Sequence, residues 1–122
     1  MSDIVRIGSS PRWSDIVIHA GVARWVEVTD DRSGDARSQI SQVLAQIDTA
    51  LAQIGSDRSR LLEVLIFLAN LSDAPILNEP WDGWVRPDNA PVRACVQTGL
   101  AAGYCVEMIV MAAVTPIEKR DH

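Results

Sequence analysis

From Ile40 onward the apolar positions fall at steps of three and four: Ile40, Val43, Leu44, Ile47, Leu51 and Ile54. That spacing lines one face of a helix, and Gly55, just past the last of them, is where such a helix caps off. Upstream the rhythm is different. "DIVIH" (Asp15 to His19) and "VARWVEVT" (Val22 to Thr29) are β-branched and alternating, and predict a hairpin that turns at Ala20-Gly21. The polar "DDRSG" (Asp30 to Gly34) is the loop into the helix. Leu61 to Ala69, "LLEVLIFLA", is short and continuously apolar, which predicts a strand buried on both faces. A second helix starts at "SDAP" and carries Ile76, Leu77, Trp81 and Trp84. Pro80 lacks a backbone donor, so this helix is either kinked or regular only from an N-cap near Asn78. Pro87 and Pro91 bracket a loop, and "NAPVRACVQTGLAAGYCVEMIVMAAV" then supplies two strands around "GLAAG". The order hairpin, helix, strand, helix, hairpin describes an α+β domain with one sheet covered by two helices.

Composition narrows the classes without changing that picture. The 122 residues, 48% hydrophobic and 22% charged, suit a single domain over the whole chain, 1–122, with one core. The sequence has no uncharged run long enough for a membrane span, and "MSDIVRIGSSPRW" does not read as a signal peptide. Cys95 and Cys105 read as free thiols of a cytoplasmic protein. His19 and His122 are far apart and neither cysteine sits in a CxxC spacing, so no metal site is expected. A formal charge of −5, with Lys and Arg scattered singly, argues against nucleic acid as a partner.

The final segment is unusual in keeping Arg93 and Glu107 among Val, Ile, Met and Ala. If its two strands pair around Ala101, Cys95 lies opposite Glu107 with Arg93 one pair further along. Arg93, Cys95 and Glu107 then share one face, and Val92, Ala94, Val96, Val106 and Met108 take the other. An ion pair that only fixes strand register is one account of the cluster. The other is chemical: a guanidinium fork grips a carboxylate, and a nearby Glu holds or activates a water. Cys95, with no His placed to activate it, reads as a pocket wall rather than a nucleophile.

The stretches "RWSDIVIHAG", "LAQIDTALAQIGSDRSRLLEVLIFLANLSD", "LNEPWDGWV" and "APVRACVQTGL", followed by "VEMIVMAAV", resemble the YjgF/RidA reactive-intermediate deaminase family. They are most similar to its YoaB-like branch, and the resemblance runs through nearly the whole chain in order. It implies a chorismate-mutase-like α+β fold, one sheet with two helices on one face, and a homotrimer with active sites in the clefts between subunits. It implies hydrolysis of 2-enamine and 2-imine acids to 2-keto acids and ammonia, without a cofactor. By the same resemblance Arg93 is the carboxylate anchor and Glu107 positions the attacking water. Cys95 lines the pocket and turns its carbonyl to it, Asn78 lies on the nearby helix, and Trp13 stands where many members have a pocket Tyr.

One departure bears on substrate choice. Many members carry Ser-Gly-Gln on the second strand where this chain has Glu27-Val28-Thr29. A Glu27 pointing into the cleft would compete with a substrate carboxylate for Arg93; pointing away, it leaves Val28 to narrow the pocket. Glu27 as a plain solvated strand residue is the third possibility. The sequence therefore leaves an imine deaminase first and a non-catalytic small-carboxylate binding protein of the same fold second. Translation inhibition or ribonuclease action, which the resemblance also brings in, ranks last for want of basic or aromatic strips.

Overall fold

Ala20 (φ 52°) and Gly21 (φ 78°) both take the left-handed conformation, the pair a two-residue hairpin turn requires. They join β2 (Ile16–His19) to β3 (Val22–Glu27), as the alternating pattern predicts. The computed structural model describes residues 2–115; His122 lies outside them. Ahead of the hairpin, Ile4–Ile7 forms β1, an edge strand antiparallel to β2 that the pattern did not announce.

Asp35 opens α1 (Ala36–Gln53) by accepting the Ser38 amide at 2.9 Å. Ile40, Val43, Leu44, Ile47 and Leu51 are all buried, so the spacing by threes and fours is the face that meets the sheet. After Gly55 (φ 71°) and a 3₁₀ turn at Arg58–Arg60, the chain enters β4 (Leu61–Leu68). Helix α2 runs continuously from Ala74 to Trp84 with Pro75 in its first turn. It passes through Pro80, which excludes a start at Asn78. β5 (Val92–Gln97) and β6 (Val106–Ala113) follow. Among the described residues no helix is long and apolar enough to cross a membrane.

The six strands form one sheet in the order β1-β2-β3-β6-β4-β5, with β4 and β5 parallel and every other pair antiparallel. This corrects the expected final hairpin: β5 and β6 do not pair, because β4 lies between them. Thr98–Cys105 is long enough to step over the end of β4, and it is pinned there. Thr98 N donates to Leu68 O, and Ala69 N donates to Cys105 O, each at 3.0 Å. Burial explains the choice. β6, "VEMIVMAA", is apolar enough for the middle of the sheet, while the more polar β5, "VRACVQ", suits an edge.

Both helices cover one face, where Val64, Ile66, Leu68, Val106, Met108 and Val110 are buried. β4 is therefore buried on one side only within the chain, and Leu65 and Phe67 are half-buried on the other. That second face is mostly apolar and not covered by any helix among the described residues: Val26, Val92 and Val96 are 54%, 66% and 45% exposed.

Candidate functional site

Strand register decides which of the expected residues meet. Arg93 pairs with Val64, and Cys95 with Ile66, whose side chains are buried under the helices. Arg93 and Cys95 therefore face the helix side. Glu107 pairs with Phe67 and lies between the buried Val106 and Met108, so it points to the open face. The expected common face for Arg93, Cys95 and Glu107 is thus corrected. Val92, Ala94 and Val96 lie on Glu107's side, and Val106 and Met108 on that of Arg93. Two strand spacings and three rows also separate Arg93 from Glu107, about 14 Å between backbones. No ion pair between them is possible within one chain.

The predicted residues instead divide into two groups. On the helix side at the sheet edge, the Arg93 guanidinium carbon lies 5.3 Å from the centre of the Trp81 ring on α2. Asn78 is on the same helix three residues earlier, half-buried. Among the described residues no carboxylate is bridged to Arg93. Cys95 is half-buried beside it; burial pushes its thiol pKa up, and the Arg93 charge acts only against that trend. A thiol held protonated fits a wall, not a nucleophile.

The second group gathers at the opposite end of the sheet width. Trp13, Glu27 and Glu107 line one groove of about 830 Å³, together with Val28, Gln46 and Tyr104. Trp13 is 64% exposed there, a large aromatic side chain left uncovered by its own chain. Glu27 is neither solvated nor near Arg93, from which β6 and β4 separate it. Its carboxylate accepts the Trp25 indole N–H and the Gln46 amide, both at 2.9 Å, on the helix side of the groove. Within one chain Glu27 therefore does not compete for Arg93, while it does line the groove with Glu107. Val28, whose carbonyl also accepts from Gln46 at 2.7 Å, lines the same groove as Glu27 and Glu107.

Burial raises the Glu27 pKa, Asp30 adds to the rise, and the two donated hydrogen bonds oppose it. Folding then favours the protonated form. Glu27's contribution is full below the ordinary carboxylate range and is lost as pH rises through the raised folded value. Glu27→Gln should therefore gain in melting temperature relative to wild type on going from about pH 4 to about pH 7. A difference between the two proteins that does not move with pH would count against this.

Two residues that sequence reasoning passed over shape the groove. Tyr104 sits in the loop before β6, under the Arg32 guanidinium at 5.2 Å. That loop is held by Gln39, which is fully buried. Its amide donates to Gly103 O at 2.8 Å and Gly34 O at 3.0 Å, and its carbonyl accepts from Cys105 N at 2.8 Å. A polar residue on the otherwise apolar α1 face, one position before Ile40, was the available signal. Gln39→Leu leaves those backbone groups without partners and should cost about 3 kcal/mol or more in urea unfolding.

The geometry defines a small α+β protein with one mixed sheet, two helices on one face and an acidic, aromatic groove at the sheet's end. The family described as Endoribonuclease L-PSP matches residues 10–114. The RutC family protein YoaB of Escherichia coli K12 is 44% identical over 112 residues, 91% of this chain and 98% of that one. A structure of a YjgF family member from Neisseria meningitidis superimposes with a TM-score of 0.86 at 35% identity, covering 93% of this chain and 97% of the other. One from Pseudomonas aeruginosa gives 0.87 at 38% identity, covering 92% and 99%. The chain belongs to the YjgF/RidA/RutC family.

Proposed function

We propose that this protein hydrolyses 2-imino and 2-enamino acids to 2-keto acids and ammonia, in clefts between the subunits of a homotrimer. The observation that carries the reading is the division of the site. A guanidinium bridged to no carboxylate among the described residues lies on one side of the sheet, and a carboxylate in an aromatic groove lies on the other. A site that needs both must take them from different copies. The uncovered apolar face gives those copies a reason to associate, since burying it removes Val26, Val92 and Val96 from water.

In this reading the Arg93 fork holds the substrate carboxylate by two parallel hydrogen bonds. Glu107 orients a water toward the imine carbon and accepts its proton as the C–O bond forms. The C=N π pair becomes a nitrogen lone pair that takes this proton back from Glu107, giving a neutral carbinolamine. Glu107 then carries the hydroxyl proton to nitrogen as the C–N bond breaks, so ammonia leaves and a keto group remains. An enamine enters the same path once it tautomerises to the imine. Because an imine carbon is already electrophilic, an oriented water and a proton acceptor are sufficient.

The family description names an endoribonuclease, but that chemistry suits this chain poorly. Among the described residues, those lining the groove include Asp15, Glu27, Asp30 and Glu107 and no Lys, Arg or His, an acidic lining that disfavours a phosphate backbone. The non-catalytic reading draws on Val28, which stands beside Glu107 where many relatives have a small residue. Imine decay separates the two: several 2-imino acids, generated by an amino-acid oxidase, should disappear faster with protein than in buffer. No acceleration over buffer for any of them would reject the deaminase and favour the binder.

A further inference from the structure

The "WDGWV" end of α2 has no part in the reaction just described, yet it places two tryptophans against the anchor. Trp81 lies under Arg93 at 5.3 Å, and its ring centre is 5.5 Å from that of Trp84, the planes inclined at 43°. On the far side of Trp84 the Arg58 guanidinium sits 5.3 Å from the ring centre. The row is thus Arg93, Trp81, Trp84, Arg58, with both rings almost fully buried.

Its inner end is fixed by one carboxylate. Arg58 donates to both Asp48 oxygens, Nε to Oδ1 at 2.8 Å and Nη2 to Oδ2 at 2.9 Å. The Trp84 indole N–H is shared between the same two oxygens at 3.2 Å each. Arg58 Nη1 also donates to the Trp84 carbonyl at 3.1 Å, at the C-terminal end of α2, where a cation is favoured. Asp48 on α1 and Arg58 before β4 therefore hold Trp84 in one orientation. Trp84 in turn sets the tilt of Trp81.

We propose that Trp81 is the positioning residue of the carboxylate anchor, with Asp48, Arg58 and Trp84 holding its ring in place. This rests on the reading of Arg93 as the anchor. A guanidinium held over a ring by cation–π attraction spends none of its N–H donors on that contact, so the ring can fix the fork without using the bonds a carboxylate needs. A long side chain at a sheet edge otherwise loses rotamer freedom on binding, and the stack supplies that order in advance.

The test is a double-mutant cycle read by calorimetry with 2-oxobutanoate as probe. Trp81→Leu should weaken binding about tenfold, and Trp81→Phe, which keeps a ring, by less than about threefold. In an Arg93→Ala background, Trp81→Leu should add nothing. Trp84→Phe, which keeps the ring but removes the N–H shared by Asp48, should raise KM with kcat held within about twofold. A second arm needs no ligand. The Arg93 Nε–Hε NMR signal should show a ring-current shift in wild type, reduced in Trp84→Phe and absent in any folded Trp81→Leu protein. Normal wild-type binding with an unshifted Arg93 signal, or an equal Trp81→Leu loss in both backgrounds, overturns the positioning role alone. Failure of wild type to bind 2-oxobutanoate overturns the anchor reading on which it stands.

Discussion

Arg93→Ala should lose about a hundredfold in affinity for small 2-keto acids and about the same factor in kcat/KM for the matching imines. Two charge-assisted hydrogen bonds from one fork contribute about 3 kcal/mol, and each 1.4 kcal/mol is tenfold. The carboxylate does not change during imine hydrolysis, so the anchor acts alike on ground and transition states and the two losses should track each other. Arg93→Lys should recover only part of either. Lysine restores the charge but offers no planar fork for the carboxylate, while Arg93 sits 5.3 Å over the Trp81 ring. Calorimetry with 2-oxobutanoate and an imine-decay assay on the three proteins give both quantities. Affinity unchanged in a folded Arg93→Ala protein would remove Arg93 from the site.

Local pattern carried the parts of this fold that depend on near neighbours. The spacing from Ile40 to Leu51 names the buried face of α1, and Ala20-Gly21 names the first hairpin, because both follow from backbone geometry within a few residues. Adjacency in sequence predicts a final hairpin, whereas in space β4 lies between the last two strands. Periodicity in β6 and β5 gives the alternation of faces correctly, but not which strand lies beside which. Inserting β4 between them moved Arg93 and Glu107 to opposite faces. β1 was missed since four residues at an edge carry little pattern. At the site, Trp13, Glu27 and Glu107 do share a groove, while Arg93, Cys95 and Asn78 lie elsewhere in the chain. The resemblance implies active sites between subunits, and the register sets Arg93 and Glu107 apart within one chain. Trp81 was legible as a core residue and illegible as a support for Arg93, since nothing in its spacing marks a ring under a strand.

Glu107 should separate chemistry from binding, and in combination with Arg93 it tests where the site is built. Glu107→Gln keeps the size of the side chain and loses the charge that accepts a proton from water. It should leave 2-oxobutanoate affinity near wild type while slowing imine hydrolysis about a hundredfold or more. Arg93→Ala alone is inactive for the other reason, so the two variants are defective in different halves of the site. Suppose they are mixed in equal amounts, unfolded and refolded together. If each site takes Arg93 from one copy and Glu107 from its neighbour, roughly one quarter of sites draw both intact residues, and about that share of wild-type activity should return. If one chain supplied both, every site would carry a defect and mixing would restore nothing. With Arg93 on an edge strand and Glu107 on a central strand, on opposite faces of one sheet, the proposed site predicts the first outcome. Activity that stays at the level of the separate variants, in a mixture whose mass matches the wild-type oligomer, would show that these two residues do not form a shared site.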